Sequence, residues 1–253
     1  MSRAEVLIIT EGATEREVGN VLYQKGILHN GLTYRLPSGI RPRQGYDAVV
    51  DILTNENNPL LALQGTGGKV LFVLDQEDSP SPLDRKDQFL RDLRRREEYK
   101  RDKYKRDKYG FWHGISFDPS PVGVNIFEYQ ANNLHLVLHI SDAIVPRISR
   151  RDFDGYILNI LQNSNINQQV VSRIVAEGQN CQQLLHKAEI EFTNLVVSNG
   201  YSWTHAKSWL YAYITAFQYR GSHVWFARDV VTYTPDDELR QVFASLIAAW
   251  NRF

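Results

Sequence analysis

Two stretches of consecutive aliphatic residues, each ending in carboxylates, constrain this chain more than any other feature. The first runs Val6-Leu7-Ile8-Ile9-Thr10 into Glu11-Gly12-Ala13-Thr14-Glu15; the second runs Val70-Leu71-Phe72-Val73-Leu74 into Asp75-Gln76-Glu77-Asp78. Branched apolar side chains on successive positions, without polar alternation, are the pattern of a strand covered on both faces, as in a parallel sheet. Ligands of open α/β sheets bind beyond the carboxyl ends of the strands, where both acidic clusters would lie. Carboxylates gathered there repel one another unless a cation is shared, and hard oxygen donors suit Mg2+ or Mn2+. The pattern predicts an α/β fold with a divalent-metal site near the N-terminus.

The 253 residues suffice for one large domain or a core with an appended part. Formal net charge is zero, so a surface for nucleic acid must come from segregated charge. Cys181 is the one cysteine, which excludes an intrachain disulfide and a cysteine-rich zinc site and suits a reducing compartment. No apolar run reaches the roughly 20 residues that span a bilayer, and residues 1–10 lack a signal-peptide pattern. A cytoplasmic protein with no membrane partner is expected.

A helix should follow the first strand: Thr14 and Glu17 have capping-box spacing, Val18, Val21 and Leu22 make an apolar stripe, and Gly26 can close it. Glu15 then has a bland role open to it, complementing the helix dipole; Glu11, before the cap, does not. Residues 31–45 read as loop or short strand, and Tyr46–Leu53 as the start of a helix that ends near Asn55–Pro59. Gly65-Thr66-Gly67-Gly68-Lys69 is a turn and not a phosphate-binding loop, because Leu63 and Val70 occupy positions that need Gly and Ser or Thr.

Residues 84–109 are rich in both charges with basic ones in excess, and repeat Tyr99-Lys100-Arg101-Asp102-Lys103 as Tyr104-Lys105-Arg106-Asp107-Lys108. Such a segment reads as a solvated helix standing off the core. It also reads as a phosphate-contacting arm through Arg94, Arg95, Arg96, Lys100 and Arg101, with tyrosines available for stacking. Val122–Tyr129 is predicted as a further strand with Glu128 at its carboxyl end, followed by a helix from Asn132. His135 and His139 would be spaced i, i+4 in that helix, where a surface or capping role is expected because Leu136 replaces the glutamate of a zinc protease motif. Beyond Ser141 the chain reads as mainly helical. Trp209, Tyr213 and Phe217 make a core face, and a last helix is expected with Thr234 as N-cap and Pro235 at N1.

The acidic motifs resemble the TOPRIM domain, the metal-binding fold of topoisomerases, bacterial primases and overcoming-lysogenisation-defect nucleases. Glu11 matches the glutamate after the first strand, and Glu11-Gly12-Ala13-Thr14-Glu15 matches the E-G-x-[ST/D]-E form of the last group. Asp75 matches the first aspartate of the Asp-x-Asp motif; Glu77 takes the second position, with Asp78 next to it. The resemblance implies a TOPRIM-like, mostly parallel sheet flanked by helices over residues 1–140, with a charged helical insertion near 84–109 and a helical part over 141–253 packed on the core. It implies a metal set of Glu11, Glu15, Asp75, Glu128 and Glu77 or Asp78, with Lys207 in a late helix joining Glu11 and Asp75 in catalysis. A topoisomerase's separate tyrosine domain is hardly accommodated by this length, and one cysteine allows no primase zinc ribbon. The resemblance thus implies a Mg2+- or Mn2+-dependent nuclease acting on DNA or RNA, an anti-phage or toxin-like effector; a partner ATPase or sensor and self-association are allowed. The other reading is a TOPRIM-derived binding or regulatory module that has lost catalysis.

Overall fold

The computed structural model describes residues 5–28, 33–35, 45–55, 58–104, 110–131 and 133–253, with backbone alone at 33–35, 64–66 and 104. The loop reading of 31–45, the second copy of the charged repeat and Asn132 fall wholly or largely outside them. The chain divides into two compact units: residues 1–13, 28–141 and 245–253 form one, and residues 14–27 and 142–244 the other.

The first unit is α/β. Its strands are β1 (Glu5–Thr10), β2 (Thr33–Arg35), β3 (Gly68–Asp75), β4 (Asp118–Pro119), β5 (Ile126–Ala131) and β6 (Leu134–Ser141), in sheet order β2-β1-β3-β6-β5-β4. The β2, β1, β3 and β6 pairings are parallel, whereas β5 and β4 are antiparallel. The sheet is therefore mixed. β1 and β3 are the two apolar runs, and they lie side by side with Thr10 opposite Val73. Both runs are central because each is flanked by strands on both sides and its side chains can be covered on both faces.

The predicted helix after Asn132 is instead the strand β6. Asn133 takes a left-handed backbone (φ 63°), which asparagine tolerates, and the chain reverses into a hairpin with β5. Apolar residues at 134, 136, 138 and 140 then share one buried face. Gly67 meets this turn closely: it is itself left-handed (φ 79°), and a Cβ there would lie 3.0 Å from the Asn133 Cβ. Only glycine suits both demands.

One face of the sheet is covered by α2 (Tyr46–Leu53), α3 (Pro59–Thr66) and α4 (Pro82–Tyr104), around an aromatic cluster. Phe72 makes edge contacts with Phe89, Trp112 and Phe117 at ring-centre distances of 5.9, 6.4 and 6.3 Å. α4 does not stand off the core. Phe89, Leu90 and Leu93 are buried, and the buried Glu97 carboxylate accepts the N–H groups of Phe111 (3.0 Å) and Trp112 (3.1 Å). The charged sequence hides this because Leu83, Phe89, Leu90 and Leu93 are the only large aliphatic or phenyl groups of α4, with none beyond residue 93.

The second unit contains α1 (Ala13–Gln24), α5 (Asp154–Gln162), α6 (Asn167–Ile174), α7 (Cys181–His186), a π-helical stretch (Lys187–Glu191), α8 (Phe192–Ser198), α9 (Ala206–Ala216), α10 (His223–Tyr233) and α11 (Asp236–Val242). Trp209, Tyr213 and Phe217 are buried in it, on the stripe their spacing defines. The expected last helix is two: α11 stops at Phe243, and α12 (Ala244–Trp250) follows. Thr234 is not the N-cap. Its hydroxyl donates to the Val230 carbonyl (2.7 Å), closing α10, and Pro235 takes the cap position. Likewise Thr14 lies inside α1, so the predicted capping box does not form. Among the described residues no helix is long and apolar enough to cross a membrane.

Candidate metal centre

Glu11 is the first residue past β1. Its N–H donates to the Val73 carbonyl (3.2 Å), and its carbonyl accepts from Gly45 (2.9 Å), the N-cap residue of α2. With the backbone held on both sides, the side chain turns towards the end of β3. Glu11 Oε2 accepts the backbone N–H of Asp75 at 2.9 Å. The two carboxylate residues, far apart in sequence, thus sit at the carboxyl ends of adjacent parallel strands.

A residue that the sequence motifs do not mark completes this corner. Arg85, in the first turns of α4, has a side chain 5% exposed against 6% for Glu11. Its Nη2 lies 3.3 Å from Glu11 Oε1 and 3.4 Å from Oε2, and its Nε donates to the Asp75 carbonyl at 2.8 Å. Nη1 reaches Gln88 Oε1 (3.4 Å), and the guanidinium carbon lies 4.1 Å from the Tyr46 ring centre. The Tyr46 hydroxyl donates to Asp92 (2.9 Å), and burial, then the Asp92 charge, hold its pKa well above the usual phenol range. Arg85 sits ten residues past Asp75 in a charge-dense helix, and only its burial sets it apart from its neighbours.

The other nominated ligands are placed differently. Gln76 to Ser79 form a turn in which Ser79 donates to the Gln76 carbonyl (3.2 Å); Glu77 takes a left-handed backbone (φ 59°) there, and Asp78 is exposed. A non-glycine residue in that region stores roughly 1 kcal/mol or more of strain. Glu128 does not share the acidic edge. Because β5 runs antiparallel, it lies opposite Val137, whose parallel partner Leu71 is four residues before Asp75. There it accepts from Arg252 (2.7 Å) and lies 3.5 Å from His135; despite desolvation, hydrogen bonds from Ser120 and Arg252 keep its pKa below the usual carboxylate value. His139 is fully buried with Nε2 at 3.0 Å from Ser245 Oγ, and burial lowers its pKa to about 3. It is a neutral core histidine.

Glu15 and Lys207 belong to the second unit. Glu15 is buried in the first turn of α1. Lys207 is the second residue of α9, and its charge acts on Asp154 and His223. Asp154, which no sequence motif marks, has Oδ1 buried without a hydrogen-bond partner. Burial and the neighbouring Asp152 charge push its pKa up to about 7, against the Lys207 charge and a hydrogen bond from the Thr14 hydroxyl.

The basic nominees on α4 are mostly engaged within the unit. Arg94 donates to the carbonyls of Trp112 (3.2 Å) and Ile115 (2.7 Å). Arg96 and Lys100 both reach Asp51 at 3.4 Å, and Lys100 also donates to Thr54 (3.1 Å). Arg101 lies 3.4 Å from Asp102. Arg95 is 83% exposed, with Asp92 at 3.1 Å.

Among the described residues, no three His, Cys, Asp or Glu side chains converge closely enough to share a metal ion. Glu11 and Asp75, at the ends of adjacent strands, are the residues that would hold a hard dication such as Mg2+, which keeps several waters and needs only one or two protein carboxylates. No protein-family model matches the chain, and no curated protein or solved structure matches it significantly.

Proposed function

We propose that this protein is a TOPRIM-type, Mg2+- or Mn2+-dependent phosphodiesterase that cleaves DNA or RNA, with Glu11 and Asp75 as the metal-holding carboxylates. The observation that carries the reading is the hydrogen bond from the Asp75 N–H to Glu11 Oε2, which joins the two residues at the ends of β1 and β3. A dication held there would polarise a phosphoryl oxygen and provide a nucleophilic water at neutral pH. Glu11 is oriented by the Asp75 N–H, and Asp75, half-buried, faces partly to solvent. Pre-fixed orientation of this kind avoids reorganisation during the reaction.

A catalytically silent binding or regulatory module is the second reading. It is favoured by the same corner, because Glu11 already has a buried cation beside it in Arg85. The two readings separate in one assay: purified protein is incubated with plasmid, single-stranded DNA and transfer RNA, each with Mg2+, Mn2+ or chelator. Metal-dependent cleavage that disappears in Asp75→Asn supports the enzyme. Binding without cleavage under all conditions supports the module. Asp75→Asn is the cleaner variant, since removing the Glu11 carboxylate would also strand the Arg85 charge.

A further inference from the structure

The Arg85 guanidinium is a cation built into the place where Glu11 would meet a metal. Three features describe its hold. It is buried to the same degree as Glu11, so water does little to screen the pair. It spans both strand ends, with Nε on the Asp75 carbonyl at 2.8 Å and Nη2 facing Glu11. The Glu11 half is loose, because one nitrogen straddles both oxygens at 3.3 and 3.4 Å. A well-formed charge-assisted contact would measure about 2.7–2.9 Å. Arg85 therefore compensates the Glu11 charge through two long hydrogen bonds, while its short one is to the neighbouring backbone.

We propose that Arg85 and a divalent cation are alternative partners of Glu11, so that Arg85 sets the concentration at which the metal binds. This rests on the metal reading above and adds a residue that regulates the same site. A dication bonding directly to the carboxylate gains a shorter contact than the 3.3 and 3.4 Å ones that Nη2 makes, but it must overcome repulsion from a buried guanidinium beside it. Tyr46 and Gln88 keep the side chain close when Nη2 gives way, because neither of their contacts involves Glu11. In the absence of metal, Arg85 spares the protein an uncompensated buried carboxylate.

The test depends on the sign of an effect. If Arg85 merely supported the site, its removal would weaken metal binding; if it competes, its removal strengthens binding. Titration calorimetry with MnCl2 on wild type, Arg85→Gln, Arg85→Lys and Glu11→Gln is expected to give at least about tenfold tighter binding in Arg85→Gln, the change that removing an adjacent like charge should exceed. Arg85→Lys should stay near wild type, and Glu11→Gln should lose the site. Thermal stabilisation by Mn2+ should likewise be larger in Arg85→Gln, where the guanidinium no longer competes for Glu11. Should Arg85→Gln fold poorly, the wild type supplies an independent measurement. The buried Arg85 Nε–H resonance, assigned by its loss in Arg85→Lys, should shift on Mg2+ titration in step with metal binding. Glu11-dependent binding that is unchanged or weaker in Arg85→Gln, or a resonance that stays put as the site fills, overturns the proposal and leaves the metal reading standing. Absence of Glu11-dependent binding in every variant overturns both.

Discussion

Each unit buries a carboxylate, and the two solve the problem in opposite ways. In the α/β unit Glu11 keeps a cation, Arg85, at 3.3 Å, in a pair almost wholly removed from water. In the helical unit Asp154 has one oxygen without a hydrogen-bond partner, a like charge nearby in Asp152, and a pKa pushed up to about 7. A buried carboxylate needs a counter-charge or it surrenders its own charge. The first arrangement maintains a permanent charge at the sheet edge. The second makes a group that changes charge near neutral pH.

The largest expected effect comes from breaking the first arrangement. Arg85→Ala or Glu11→Ala should each lower unfolding free energy by about 3–5 kcal/mol, because the remaining partner is left charged and buried. Glu11→Gln should cost less. Urea denaturation at pH 7 measures all three, and a loss under about 1 kcal/mol would mean that the pair behaves like a solvent-exposed one.

The second arrangement should show itself through pH. Asp154 binds its proton more tightly when folded, so stability should fall as pH rises from about 4, the unfolded value, to about 7, and then level off. A shift of about three units corresponds to at most ~4 kcal/mol. Asp154→Asn should remove this slope, raising the melting temperature at pH 8 and leaving it nearly unchanged at pH 4. Equal effects at both pH values would show that Asp154 does not titrate in this window.

Asp75→Asn sharpens the comparison on the functional side. Asp75 is only half-buried, so stability should change by less than about 1 kcal/mol. Metal-dependent cleavage should fall by roughly 100-fold or more if Asp75 holds the cation. Unaltered turnover in that variant would remove it from the site.

The smallest effects concern α4. Arg95→Ala should alter stability by no more than about 0.5 kcal/mol, whereas Arg94→Ala, which loses two backbone partners, should cost about 1–3 kcal/mol. If Arg95 contacts phosphates, Arg95→Glu should reduce the salt dependence of nucleic-acid binding by about one unit. An unchanged slope would place the phosphate contacts on another surface.

Features with a local cause are legible in the chain itself. The apolar runs at Val6–Ile9 and Val70–Leu74 are adjacent central strands, and the aromatic spacing of Trp209, Tyr213 and Phe217 marks a buried helix face. The β5–β6 hairpin is not legible, because Leu134 to Ile140 is apolar nearly throughout, and a short apolar run does not distinguish strand from helix. Strand direction is hidden with it, and direction alone removes Glu128 from the acidic edge.

That two carboxylates stand at strand ends can be read from the chain alone, because the run of branched side chains and the charge that ends it are both local properties. What answers those carboxylates depends on how distant segments pack. Arg85 and Lys86 are neighbours of the same charge on one helix, yet the Arg85 side chain is 5% exposed and touches Glu11, whereas Lys86 pairs with Asp87 beside it. Composition cannot separate them, since burial and partnership arise where chain segments far apart in sequence meet.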